Sequence, residues 1–278
     1  MRPIRIPQMR PHNRVDPPER TMKLPTAMEE FEAANVVYWS GRQSISLPST
    51  RPREYEEKFQ LARFPMKEIF VVTHAESAHH LERKVGGWYD SELTAQGLKE
   101  AGAVAERLDA FIGESEVEIY SSDLRRASQT AAVIAKRLHR PVMQTTSLRE
   151  ISYGIAGGKP QEWLDARYIP APDDNRLDHA CGISGAETRR DVANRVFPFI
   201  DEIVARACER QIIVTHGFTL SMVVAAWMKI PVEAAGFVSF PTRSGSITRL
   251  RQDDFFRNRS VISVGDTAHL SHLKTAGT

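Results

Sequence analysis

Cysteine is scarce in this chain. Its 278 residues include two, Cys181 and Cys208, and they form no CxxC pair. That excludes a disulfide framework and a cysteine-based zinc knuckle, and it suits a reducing cytoplasm. No apolar run approaches the length of a membrane span, so no membrane partner is expected. Neither sign of charge dominates: 37 Lys and Arg stand against 35 Asp and Glu, a formal net charge of +2. Such balance argues against nucleic acid as the main partner. The N-terminus is basic (Arg2, Arg5, Arg10, Arg14) but lacks the apolar centre of a secretory signal. Internal repeats and low-complexity tracts are also missing.

What is present is uneven. Nine of the 16 prolines lie in residues 1–65 (Pro3, Pro7, Pro11, Pro17, Pro18, Pro25, Pro48, Pro52, Pro65). Proline fixes φ and removes a donor, so residues 1–65 read as a largely irregular extension. One island, Ala27 to Tyr38, carries Phe31, Ala34 and Tyr38 at helical spacing. Met66 stands just before the first strand, so the extension could also reflect a choice of start site. Residues 66–278 form the second unit, and there strands alternate with helices.

Strands are expected at Glu68 to Thr73, Val117 to Ser121, Pro141 to Gln144 and Gln211 to Thr215. Helices are expected from Thr94, as cap, to Ile112, then Asp123 to Leu138, Ala186 to Ala207 and Phe218 to Met228. Phe237 to Phe240 and Ser246 to Leu250 look like late strands, paired as an edge hairpin. This alternation predicts an α/β fold: a three-layer α/β/α sandwich with a mainly parallel central sheet.

The sequence Val-Thr-His ends two of these strands, at His74 and at His216. Ligands in open α/β sheets sit beyond the carboxyl ends of the strands, so the two imidazoles can meet in one pocket. Other polar segments fall at the same kind of handover: Ser122-Asp123-Leu124-Arg125-Arg126, Leu148-Arg149-Glu150, and Gly87-Trp88-Tyr89-Asp90. Their residue types suit phosphoryl transfer. A neutral imidazole can attack phosphorus and hold the group covalently. Arg126 and a second histidine can meet the charge on the equatorial oxygens, and a guanidinium fork fits phosphate well. A carboxyl group must protonate the leaving alkoxide, and Glu150 is the candidate. Each residue alone has a plainer reading: Arg125 and Arg126 as solvated charges, Glu150 as a partner of Arg149, Gly154, Gly157 and Gly158 as turn formers, Trp88 and Tyr89 as packing. Trp163, Tyr168 and His179 are candidate pocket walls.

Taken in order, these segments resemble the histidine phosphatase superfamily, the group that includes cofactor-dependent phosphoglycerate mutase. The family's Arg-His-Gly-Glu-Ser reads here as Thr73-His74-Ala75-Glu76-Ser77. Gly-Trp-Tyr-Asp stands at 87–90, Ser-Asp-Leu-x-Arg-Ala-x-Gln-Thr at 122–130, Leu-Arg-Glu at 148–150 and His-Gly at 216–217. The resemblance implies that His74 is the phosphorylated nucleophile and Glu150 the proton donor, with Arg126 and His216 holding the phosphoryl group. It further implies that Thr73, Ser77, His80, Gly87 and Gly217 contribute to phosphate or substrate binding, and that neither a metal nor a cofactor is required.

The chain departs from the family at Thr73, which replaces an arginine. Losing one preorganised charged donor costs roughly 2–4 kcal/mol of transition-state stabilisation. A protonated His80 is the expected substitute charge, with His79 a lesser helper. Ala75 replaces glycine and limits how closely the backbone can approach phosphate. Gly185-Ala186-Glu187-Thr188 resembles the Gly-Gly-Glu-Ser of phosphatase-type members, and no long basic insert follows Glu150, so hydrolysis is favoured over a mutase reaction. The expected activity is therefore phosphomonoester hydrolysis of a small phosphorylated substrate in the cytoplasm, compatible with a homodimer. The alternatives are a weak or inactive member that binds phosphorylated ligands or a partner, a phosphomutase, and a metal site of His74, His79, His80 and His216.

Overall fold

A computed structural model of the chain describes residues 66–273. The 1–65 extension, with its Ala27 to Tyr38 island and the boundary after residue 65, lies outside the described residues.

Strand β1 (Lys67–Thr73) opens the fold and is buried along its whole length. A single short turn, α1 (Ala78–Leu81), and a loop lead to α2 (Ala95–Ile112). Thr94 starts α2 by accepting the Gly97 amide, as a capping hydroxyl does. There follow β2 (Glu118–Ser122), α3 (Arg125–Leu138), β3 (Val142–Thr145), α4 (Gln161–Asp165) and α5 (Arg189–Ala205). Strand β4 (Arg210–Thr215), helix α6 (Gly217–Trp227) and the hairpin β5 (Ile247–Gln252) and β6 (Arg259–Asp266) complete the order. The sheet runs β3-β2-β4-β1-β5-β6. Its first four strands are parallel, while β5 and β6 are antiparallel.

Two apolar clusters bury the two faces of the sheet. On one face Ile69, Val71 and Ile213 meet Val196, Ile200, Leu220 and Trp227 of α5 and α6. On the other, Phe70, Val72, Ile212 and Val214 meet Val104, Leu108, Ala131 and Ile134 of α2 and α3. Alternate residues of one strand thus feed opposite cores, which makes the expected three-layer α/β/α sandwich. No described helix is long and apolar enough to cross a membrane.

Three boundaries differ from expectation. Phe237 to Phe240 is not a strand. Residues Val232–Phe237 form a 3-10 helix, and Pro241, which lacks a donor, follows. The true hairpin partner of β5 is β6, an edge strand whose residues alternate between half-buried and exposed over its first six positions. Helix α3 begins at Arg125 rather than Asp123, because the Asp123 carboxylate pairs with Arg149 instead of capping. Helix α5 begins at Arg189, after Thr188 and Asp191 form a capping box.

Candidate active site

Strands β1 and β4 lie side by side, with Thr73 paired to Thr215, so His74 and His216 leave the same edge together. Their ring centroids are 5.1 Å apart. His74 is 5% exposed and His216 is fully buried. The His74 Nδ1 lies 2.8 Å from the Ala75 carbonyl oxygen, which can only accept a hydrogen bond. The Arg126 Nε lies 3.2 Å from His74 Nε2 and can only donate. Together these contacts place the ring proton on Nδ1 and leave the lone pair on Nε2. Burial, and after it the Arg126 charge, holds His74 well below the usual histidine range, so the ring is neutral near pH 7.

Arg126 is 1% exposed, so the solvated-charge reading does not hold for it. Its Nη1 donates to the Tyr89 carbonyl at 2.8 Å and its Nη2 to the Gly87 carbonyl at 2.7 Å. Burial lowers its pKa to about 10, which still leaves it charged. Gly87 serves this clamp through its backbone. Its φ is +57°, and a Cβ there would stand 3.0 Å from the Ile151 carbonyl oxygen.

Glu150 does not pair with Arg149. Arg149 grips Asp123 with two bonds, 2.8 and 2.5 Å, and lies over the Trp88 ring at 4.9 Å. The Glu150 carboxylate instead accepts the backbone amides of Ile151 (2.9 Å), Phe218 (3.1 Å) and Thr219 (3.2 Å). Two of these amides open helix α6, whose dipole favours a negative group there. Gly217, the first residue of α6, is not required for space: a Cβ there would meet only Glu150 Oε2, at an ordinary van der Waals distance of 4.0 Å. Glu150 is thereby anchored within three residues of His216. The Trp88 indole donates to the Glu150 carbonyl at 2.7 Å, so its role goes beyond packing.

The remaining expected residues surround this centre in different ways. His80 stacks on His74, with centroids 5.5 Å apart and a 12° interplanar angle. Its Nδ1 accepts the Ser77 amide at 3.3 Å, and burial followed by Arg126 lowers its pKa. His80 is nonetheless solvent-exposed; with Nδ1 accepting, Nε2–H is the donor that its neutral ring offers. The Ser77 hydroxyl bonds His79 Nδ1 at 3.0 Å, and Ser91 bonds the same nitrogen at 2.8 Å. Burial, then His80, pushes His79 down to about 3, so His79 is a neutral brace for the 77–91 loop. The Thr73 hydroxyl lies 3.1 Å from that of Thr242 and 3.4 Å from that of Ser246. Four imidazoles therefore share the site, yet no group of three or more described His, Cys, Asp or Glu side chains has a metal-holding arrangement.

Sequence reasoning did not foresee several supporting residues. Ser122 bonds His216 Nε2 at 2.9 Å. Arg195 donates to the carbonyls of Ser147, Arg149 and Glu150 and pairs with Glu187, which fixes the 147–150 loop. A cavity of about 230 Å³ adjoins Glu150 through Ile151 and Phe218. Tyr168 and His179 line it as expected. Trp163 instead packs with Val85, Leu164 and Ile183. Gly154 and Gly158 are turn residues with positive φ, as their plainer reading held.

Comparison with known proteins gives the class of this fold and sheet edge, the histidine phosphatases. Residues 69–261 match the model of the histidine phosphatase superfamily (branch 1), and the chain belongs to that superfamily. It is 29% identical over 178 residues to fructose-2,6-bisphosphatase of Saccharomyces cerevisiae, which covers 63% of this chain and 37% of that protein. It is 27% identical over 212 residues to the "Probable phosphoglycerate mutase GpmB" of Yersinia pestis, covering 74% of this chain and 95% of the relative. Among solved structures, mycobacterial glucosyl-3-phosphoglycerate phosphatase in complex with VO3 superposes with a TM-score of 0.61. That match has 27% identity and covers 72% of this chain and 100% of the other.

Proposed function

We propose that the chain is a metal-independent phosphomonoesterase that hydrolyses a small phosphorylated metabolite through a phosphohistidine at His74. The observation that carries this is the tautomer: the Ala75 carbonyl and the Arg126 Nε together leave Nε2 of His74 neutral and unprotonated, its lone pair held by a single guanidinium N–H. In the first step Nε2 attacks phosphorus, the N–P bond forms and the ester P–O bond breaks. For this step Glu150 must enter protonated, on the Oε2 that accepts a single amide, and it gives that proton to the departing alkoxide. In the second step Glu150 takes a proton from water as that water attacks phosphorus, the N–P bond breaks and inorganic phosphate leaves. The two free N–H groups of Arg126 and the imidazole of His216 stabilise the charge on the equatorial oxygens. His216 Nδ1 is buried without a partner. With Ser122 donating to Nε2, the ring proton sits on Nδ1, where a phosphoryl oxygen would accept it. His80 Nε2–H adds a neutral donor. The two cysteines, both free, suit a cytoplasmic setting.

The Thr73 contacts favour a second reading, a weak member that chiefly binds phosphorylated ligands. That hydroxyl is engaged by Thr242 and Ser246 and brings no charge to replace the family's arginine. A phosphatase screen over a metabolite panel, with His74→Ala as control, separates the two. The first reading expects turnover that His74→Ala abolishes. Binding without turnover, together with a large gain in Thr73→Arg, would establish the second.

A further inference from the structure

The cavity beside Glu150 holds more cationic charge than a phosphoryl group at His74 uses. We infer that this cavity binds a second anionic group, carried on the leaving part of the substrate, with Arg176 and Arg189 as its cationic donors. The inference rests on the phosphatase reading and narrows its substrate class to phosphomonoesters that bear a further phosphate or carboxylate.

Arg189 is placed unfavourably unless an anion joins it. It is the first residue of the 17-residue helix α5, where the helix dipole is positive. It is half-buried, and burial followed by the neighbouring Arg176 charge lowers its pKa. Its contacts are the Val238 carbonyl at 3.4 Å and the face of Phe218 at 5.1 Å. No described carboxylate pairs with it. Arg176 contacts the Gly236 carbonyl at 3.3 Å and Asp173, also at 3.3 Å, whose side chain is 97% exposed. An ion pair so open to solvent neutralises little. The acidic residue of the cavity wall, Glu187, is already committed to Arg195 and to the Ser152 amide. Two guanidiniums thus share one concavity with no free carboxylate, and their planar forks match anionic oxygens.

Position supports the same conclusion. Ile151 and Phe218 line the cavity, and their amides hold the Glu150 carboxylate. Glu150 itself does not line the cavity, so in this inference the leaving group extends from Glu150 past Ile151 and Phe218 to reach it. A volume of about 230 Å³ suits a leaving group of metabolite size and not a macromolecule.

The test compares alkanediol bisphosphates, carboxyalkyl phosphates and hydroxyalkyl phosphates of matched chain length. The readout is the ratio of kcat/KM for an anionic ester to that for the matching hydroxy ester. A charge-assisted contact at this site predicts a wild-type ratio of about tenfold or more, which falls about tenfold in Arg189→Leu and in Arg176→Leu. Arg189→Lys should retain part of the preference, and the better of the two anionic series identifies the second group. A ratio near one in the wild type, or one unchanged in both variants, overturns the inference while the phosphatase reading stands. If no ester turns over and His74 is never phosphorylated, the phosphatase reading fails. Calorimetry with propane-1,3-diol bisphosphate then decides the cavity alone. Binding about tenfold weaker in Arg189→Leu upholds it, and equal binding overturns it. Thermal melts confirm folding, and Arg176→Leu, outside any helix, serves if Arg189→Leu does not fold.

Discussion

Arg126→Lys keeps a positive charge at the centre of the site but removes the fork. The wild-type guanidinium makes three contacts at once, with His74 Nε2, the Tyr89 carbonyl and the Gly87 carbonyl. A lysine ammonium is a point charge and cannot hold two carbonyls and face the phosphoryl group together. Removing one preorganised donor from a buried site costs about 2–4 kcal/mol at the transition state, or about 30- to 1,000-fold in rate. The buried Gly87 carbonyl also loses its donor, at about 1–3 kcal/mol, and the half-buried Tyr89 carbonyl loses one at smaller cost. The expected result is kcat/KM for p-nitrophenyl phosphate reduced at least about 30-fold, with a lower melting temperature. Arg126→Ala should go further and change the pH profile. Without the guanidinium, one of the charges that lower the His74 pKa is gone. The acid limb of the rate profile should then move to higher pH. Activity within about fivefold of wild type for Arg126→Lys would refute the assigned role.

Two further outcomes follow from the same geometry. Glu150→Gln should slow esters with poor alkoxide leaving groups far more than p-nitrophenyl phosphate, whose leaving group needs no proton. A Brønsted plot over leaving-group pKa checks this, and an equal loss for all esters would remove Glu150 as the proton donor. Stability should fall as pH drops below about 6.5, because the buried His74, His79 and His216 all have lowered pKa values in the folded state. The unfolded chain then binds protons that the native chain does not, at about 1.4 kcal/mol per pH unit for each such histidine. For His79 the loss continues down to about 3. Urea melts from pH 7.5 to 5 measure it, and a flat profile would contradict the buried neutral cluster.

The fold was legible where the physics is local. The alternation of fully buried strands such as β1 with amphipathic helices such as α2 leaves few arrangements besides a doubly covered parallel sheet. Strand β6 escaped notice because it lies at the sheet edge, where half its residues face solvent and its apolar run is short. Phe237 to Phe240 looked like a strand because its aromatic and β-branched residues mimic one. Only the turn at Val232–Phe237 and the donor-lacking Pro241 reveal otherwise. At the site, His74, Arg126, Glu150 and His216 were readable because each stands where a strand hands over to a loop or helix. The Glu187–Arg195 clamp, the hydroxyl trio around Thr73 and the presence of Arg176 and Arg189 in one cavity wall depend on contacts distant along the chain. No spacing rule reports such contacts. The Ser77 amide on His80 Nδ1 and the guanidinium that lowers its pKa, both opposed to a charge there, are likewise visible only in three dimensions.

The most direct test of the central claim is to trap the enzyme with a phosphoryl donor at neutral pH, digest it rapidly, and assign the phosphorylated atom by mass spectrometry and phosphorus NMR. The account predicts a single acid-labile phosphohistidine at His74, carried on Nε2 and absent from His74→Ala. Phosphate on Nδ1 or on another residue, or turnover with no phosphorylated protein under conditions that trap such intermediates, would contradict it.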